Sequence, residues 1–272
     1  MNIKMLTHTI NARTCPEAWL NALEFLSTQT KHEFYNLVLA IDSPALMTPQ
    51  DFRLHDLVDT FLRSHNQEPI ATVAGTIFPG NYYLRDGARG VYEVFPDEVF
   101  PKLEQHSWGT YAMRMLRRKG KDGEMINPLQ IMVEKLQNQM SKETQRMRLA
   151  YEMNLTDTDD DAFEMPIYRP SEDANRFLQQ PCLSHLTFKL QPPNNLILTV
   201  MYRSHFYISK TLGNLLGLAQ LQSFVANEAK LEVGPLICHS THGRIDTGKS
   251  WTLTEVRQLL ADCKSAVLPT VA

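Results

Sequence analysis

Cys182, Arg203, Ser204 and Asn214 have side chains suited to chemistry, in an order that lets them meet. A thiol preceded by Pro181 sits at the start of one strand-like segment, where a turn can leave it at the mouth of a pocket. The next segment ends in Tyr202-Arg203-Ser204. A guanidinium followed by a hydroxyl can bind a phosphate, the planar fork giving charge-assisted hydrogen bonds and the serine one more donor. A cation near a thiol also lowers its pKa, which would make Cys182 a usable nucleophile. Asn214 stands where a helix begins. Its carboxamide offers a donor and an acceptor, which suits an imide-type base edge, although Asn is also a common helix N-cap.

The elements that must hold these residues follow from pattern. Leu183 to Leu190 and Leu196 to Met201 read as strands joined by a hairpin connection, Gln191-Pro192-Pro193-Asn194-Asn195. Leu212 to Ala229 reads as a long apolar helix, and Ile237 starts another strand. Upstream, Pro16 to Thr28 has helical spacing behind Thr14 as N-cap, and Asp51 to Leu62 is an amphipathic helix. Phe34 to Ile41 and Ile70 to Phe78 read as strands, each closed by a turn signal. Pro128 to Gln139 and Leu253 to Ala261 are helices, and Met147 to Met153 is extended. The acidic run between Asn154 and Gln180 has no periodicity; residues 155–180 read as a surface insertion with solvated charge. This irregular mixture predicts an α+β fold, a mixed sheet flanked by helices, with residues 1–272 as a single domain.

Composition narrows the function classes. A chain of 272 residues with 43% hydrophobic and 21% charged residues is an ordinary globular protein. Its formal charge of -3 gives no overall attraction for nucleic acid or an anionic membrane, so neither is an expected partner. No apolar run is long enough for a membrane span, and the N-terminus lacks the apolar core of a secretory signal. Cys15, Cys182, Cys238 and Cys263 form no CxxC pair and no metal-ligand spacing. The reading is a cytoplasmic, reduced protein with no metal site.

The order Pro181-Cys182, Tyr202-Arg203-Ser204, Gly213-Asn214, then a helix ending in Leu231-Glu232-Val233-Gly234, resembles the core of thymidylate synthases and pyrimidine-nucleotide hydroxymethylases. The spacing from Cys to Arg-Ser to Asn matches that family without a gap. Trp108-Gly109-Thr110-Tyr111 resembles its Gly-x-x-Tyr-Gly segment, and Gln145-Arg146-Met147-Arg148 its arginine-bearing segment. The resemblance is clearest over residues 105–246.

It implies a role for each matching position. Cys182 would attack C6 of a pyrimidine, Arg203 and Ser204 would bind the 5′-phosphate, and Asn214 would read the base. Tyr111 would lie near that base. Arg146 would reach a phosphate in the partner subunit, with Arg117, Arg118 and Arg148 as rivals for that place. His242 and Arg244 would line the substrate pocket. The resemblance further implies a one-carbon transferase of nucleotide biosynthesis acting at C5 of a dUMP-like nucleotide. Its cofactor would be 5,10-methylenetetrahydrofolate, and it would be a homodimer that shares each site between chains. The product would be a methyl or hydroxymethyl pyrimidine. The alternative is a catalytically silent or repurposed nucleotide-binding protein on the same scaffold. This chain departs from the family pattern at Leu183, where His is usual. It departs again at Phe206, where an aspartate contacts the pterin, and at Arg244 and Asp246, where two sugar-binding residues stand. Glu93 and Glu98 are the candidates for the catalytic glutamate of the N-terminal half.

Overall fold

The computed structural model describes residues 7–102, 109–119, 123–141, 151–153, 181–247 and 250–267. Arg146 and the insertion 155–180 lie outside the described residues, as does most of the extended segment expected over 147–153. In chain order the elements that matter here begin with β1 (His8–Ala12), α1 (Cys15–Ser27), β2 (Glu33–Ile41), α2 (Pro49–Ser64) and α3 (Ile70–Ile77). Then come α4 (Gly80–Arg89), α5 (Phe95–Val99), α6 (Tyr111–Leu116), β3 (Arg118–Lys119), β4 (Met125–Ile126), α7 (Pro128–Met140) and β5 (Tyr151–Met153). The chain continues through β6 (Leu183–Gln191), β7 (Asn195–Tyr202), β8 (His205–Phe206), α8 (Thr211–Glu228), β9 (Glu232–Arg244) and α9 (Leu253–Val267). The main sheet is mixed, hydrogen-bonded in the order β1-β2-β9-β7-β6-β5 with β8 beside β9. The fold is α+β, a mixed sheet flanked by helices.

Two compact units can be distinguished. The first comprises Met1–Ala74, Tyr202–Ala219 and Pro235–Ala272. Here β1 runs parallel to β2 with His8 opposite Leu37, and β2 runs antiparallel to β9 with Leu37 opposite Ser240. Strand alternation sends Leu37, Leu39, Ile41, Leu236 and Cys238 into a core closed by Trp19, Leu23 and Leu26 of α1, all fully buried. The Thr14 hydroxyl accepts from the Glu17 amide to start α1, and Pro16 suits its first turn. A capping box starts α2: Thr48 accepts from the Asp51 amide and Asp51 accepts from the Thr48 amide. Asp51 also accepts from the Thr14 hydroxyl at 2.9 Å, so one carboxylate joins the starts of both helices.

The second unit comprises Gly75–Met201 and Gln220–Gly234. Leu186 and Phe188 of β6, Leu196, Leu198 and Val200 of β7, and Phe224 of α8 are fully buried in it. The hairpin expected between Leu183 and Met201 is present, and the Ser184 hydroxyl donates to the Met201 carbonyl at 2.9 Å.

The strand expected over Ile70 to Phe78 is instead helix α3. Its β-branched residues suggest a strand, but Ile70, Val73, Ala74 and Ile77 are the buried positions and lie on one helical face. Asp59 of α2 accepts from the Ile70 amide at 2.8 Å, satisfying a donor that the first helical turn leaves unpaired. Tertiary burial and a cap borrowed from a neighbouring helix thus outweigh a propensity worth only tenths of a kcal/mol per residue. Strand β1 has no counterpart in the sequence reading. It is short and polar, with only Ile10 and Ala12 buried.

Among the described residues no helix is long and apolar enough to cross a membrane. Among the same residues, no cluster of His, Cys, Asp and Glu could hold a metal ion.

Candidate functional site

The expected site residues fall into two groups, one in each unit. In the second unit, Tyr111 opens α6 and is almost fully buried. The Thr110 hydroxyl accepts from the Met113 amide, capping the helix and fixing the direction from which the tyrosine leaves it. The Tyr111 phenol oxygen accepts from the backbone amides of Cys182 at 2.9 Å and Leu183 at 3.2 Å. Two residues proposed from separate motifs, 71 positions apart in sequence, are therefore in direct contact. Those amides begin β6, and the phenol holds that end of the strand in place. Leu183 is fully buried, whereas Cys182 is half-buried.

The other thiols are held in their protonated form. Burial pushes Cys238 and Cys263 up to about 12, and it pushes fully buried Cys15 higher still. Neutral thiols enclosed in this way are poor nucleophiles. Cys182 differs from them in being only half-buried.

In the first unit, Arg203 and Ser204 form the bend between β7 and β8; Arg203 is exposed and Ser204 half-buried. The Thr241 hydroxyl of β9 lies within donating distance of the Tyr202 carbonyl at 3.2 Å and the Arg203 carbonyl at 3.0 Å. The guanidinium is thus carried on a backbone tied to a central strand. Asn214 lies in the first turn of α8, inside the helix rather than at its cap, because its own amide already donates to the Lys210 carbonyl. This overturns the N-cap alternative for Asn214.

The side chain of Asn214 is engaged in a buried chain of hydrogen bonds. Its Nδ2 lies 3.0 Å from Nε2 of His205, and Nδ1 of His205 lies 2.9 Å from the Ser240 hydroxyl. The Tyr207 hydroxyl is 3.2 Å from the same Ser240 oxygen. His205 is 1% exposed and stacks on Tyr202 with ring centroids 4.0 Å apart. Burial pulls His205 down to about 3, so the imidazole is neutral, and the same cause pushes Tyr207 far up. Because His205 directly follows Ser204, this chain ties the first turn of α8 to the Arg203-Ser204 bend. Sequence reasoning did not identify His205. Its partners at 202, 207, 214 and 240 share no local pattern, and the one visible signal was a histidine between two tyrosines beside the Arg-Ser pair.

The remaining expectations are placed as follows. His242 stacks on Tyr35 with centroids 4.8 Å apart, and its Nε2 lies 3.1 Å from a Glu33 carboxylate oxygen. Arg244 lies opposite Phe206 in the β8–β9 pairing, its guanidinium 4.5 Å from the ring centroid. Asp246 accepts from the Ile208 amide at 2.8 Å and the Ser209 amide at 3.1 Å, clamping the turn that leads into α8. Glu93 pairs with Arg89, and Glu98 with Arg85 and Tyr82, on the surface of the second unit.

The sequence matches no family profile and no characterised protein. Among solved structures, the chain is similar to thymidylate synthase from T4 phage, at 14% identity and a TM-score of 0.48. That match covers 93% of this chain and 81% of the phage enzyme.

Proposed function

We propose that this protein is a one-carbon transferase acting at C5 of a pyrimidine nucleotide, with Cys182 as the nucleophile. The observation that carries the reading is the contact between Tyr111 and the Cys182 backbone, which joins two segments singled out by the same family resemblance. The ungapped order Cys182, Arg203-Ser204, Asn214 supports it further.

In this reading Arg203 and Ser204 bind the 5′-phosphate, and Arg146 of the partner subunit in a homodimer adds a second cation. The Cys182 thiolate adds to C6 and the ring π-electrons move to O4, giving an enolate. Hydrogen bonds from Asn214 stabilise the developing charge, an effect worth a few kcal/mol in a preorganised site. C5 then attacks a one-carbon electrophile at the aldehyde level. Loss of the C5 proton and expulsion of the thiolate from C6 restore the ring.

The carrier is a separate matter. The position that would contact a pterin is Phe206, whose ring faces the Arg244 guanidinium. It offers no carboxylate to accept pterin N–H groups, so the residues present do not fit methylenetetrahydrofolate there, and no step is derived through that cofactor. The same pair favours one second reading, a protein that binds a nucleotide on this scaffold without transfer chemistry.

Covalent trapping separates the two readings. The protein is incubated with 5-fluoro-dUMP, with and without methylenetetrahydrofolate, and its intact mass is measured. The transferase reading expects a nucleotide adduct that Cys182→Ala abolishes. Binding that Arg203→Ala weakens, with no adduct under either condition, would select the silent reading. Affinity unchanged in Arg203→Ala would remove the phosphate assignment.

A further inference from the structure

The end of α2 and the start of α9, both in the first unit, are joined by a histidine whose two ring nitrogens each meet an acceptor. His65 closes α2, and its side chain is 18% exposed. Its Nδ1 lies 2.8 Å from the Phe61 carbonyl oxygen, and its Nε2 lies 3.3 Å from a Glu255 carboxylate oxygen. A carbonyl cannot donate, and neither can an ionised carboxylate, so each contact is a hydrogen bond only if the nitrogen carries a proton. The imidazolium makes both bonds at once. The neutral ring must turn a lone pair on one of the two oxygens.

Glu255 is kept ionised by its own helix. Its second oxygen accepts from the Thr252 amide at 2.7 Å and the Thr252 hydroxyl at 2.8 Å, and its amide donates back to that hydroxyl at 3.3 Å, a capping box. Those bonds first, and His65 after them, hold Glu255 down to about 2. The Phe61 carbonyl first, and Glu255 with it, hold His65 above the ordinary histidine value against the pull of burial. Of the other charged neighbours, Arg63 turns back along α2 to Asp59 at 2.6 Å, and the Asp246 carboxylate holds the Ile208 and Ser209 amides. The ring also bears on Trp251, which is 5% exposed. Trp251 meets His65 edge-on with centroids 5.9 Å apart, and it meets Phe61 at 5.6 Å. Beside it the Gln67 carboxamide lies 3.1 Å from the Ser250 hydroxyl. The Trp251 indole N–H donates to the Asp246 carbonyl, so the segment that His65 presses on is the one that carries the Asp246 clamp.

We propose that His65 and Glu255 form a latch, closed by a proton, that sets how firmly Ser250-Trp251-Thr252 and the Asp246 clamp hold the turn before α8. The latch is independent of any ligand. Its closed form binds the proton more tightly than its open form. Closure is therefore favoured below the ordinary histidine value of about 6.5 and is lost as pH rises through the raised one.

The test uses the full chain with isotope-labelled histidine and tryptophan. Ring resonances are followed from about pH 5 to about pH 9, with His65 and Trp251 assigned by their loss in His65→Gln and Trp251→Phe. In wild type the His65 midpoint should lie above the ordinary histidine value, and the Trp251 indole N–H should shift along the same curve. Amide exchange at Ile208 and Ser209, corrected for the intrinsic rate at each pH, should show protection about two- to fivefold lower above that midpoint than below it, the range for a partly exposed ion pair. Glu255→Gln keeps an acceptor for the Thr252 amide but removes the charge, so it should bring the midpoint down and flatten the change in protection. His205 is common to both proteins and titrates far below this window. A wild-type midpoint at or below the ordinary value, as a ring turned with its carbons on the two oxygens would give, would overturn the latch. So would a Trp251 resonance that ignores the His65 titration, unchanged protection at Ile208 and Ser209, or a midpoint in Glu255→Gln equal to that of wild type.

Discussion

His205 should make the protein sensitive to mild acid, and the size of the effect can be worked out. In the unfolded chain a histidine titrates near the usual value of about 6.5. In the fold, burial pulls His205 down to about 3. Between those values the unfolded chain binds one proton more than the native state, so stability rises with pH across the window and falls as pH falls. The contribution is fully present above about pH 6.5 and is lost progressively below it. Going from pH 7 to pH 5, the unfolded state gains about RT ln(33/1.3), or about 2 kcal/mol, from protonating this one group. The native side adds almost nothing at pH 5, because the folded group still titrates well below that pH. Urea unfolding of wild type and His205→Gln at both pH values isolates the residue, since other titrating groups are common to the two proteins. Wild type should lose about 2 kcal/mol more than the variant over this range. Equal losses would mean that His205 takes up its proton in the native state, and the buried neutral ring would be refuted.

Gly213→Ala tests the seat of the neighbouring helix. A Cβ there would lie 2.6 Å from Cβ of Val73 and 2.9 Å from the Ile70 carbonyl, so α8 must move away from α3. Overpacking of this kind costs about 1–3 kcal/mol in denaturant melts, and nucleotide affinity should drop with it because Asn214 is the next residue; an unshifted midpoint would contradict the close approach. Asp246→Ala removes the acceptor for the Ile208 and Ser209 amides. It should destabilise the protein by about 2–3 kcal/mol; a loss under about 0.5 kcal/mol would show that water replaces the carboxylate at no cost.

Much of this arrangement was legible in the sequence, for identifiable reasons. Thr14 caps its helix by a contact three residues long, and the hairpin of β6 and β7 has turn residues between alternating apolar positions. Local rules suffice for such features. They failed at α3, where a run of Ile, Val and Thr resembles a strand and the deciding contacts are the Asp59 cap and one buried face. The Cys182, Arg203, Ser204 and Asn214 series stands out in the sequence because it lies on consecutive elements. The role of Asn214 within its helix does not, since it depends on a histidine at 205 and a serine at 240 that only the sheet brings together. Asp246 shows the converse. Its place in the sequence suggested a position that meets substrate, but its carboxylate is used on two backbone amides of its own unit.

These placements separate the parts of the proposed chemistry that depend on preorganisation from those that do not. A base-reading amide works only if its direction is set before the ligand arrives, because turning it afterwards would spend binding energy that could otherwise discriminate. A neutral histidine excluded from water is well suited to that task. Depressing its titration to about 3 keeps the ring neutral across the whole physiological range. The phosphate side needs no such control, since an arginine stays charged at any relevant pH, and Arg203 is accordingly exposed on a bend while Asn214 is buried in a helix. In the proposed chemistry, the buried and stacked imidazole is the group that meets Asn214 from within the fold.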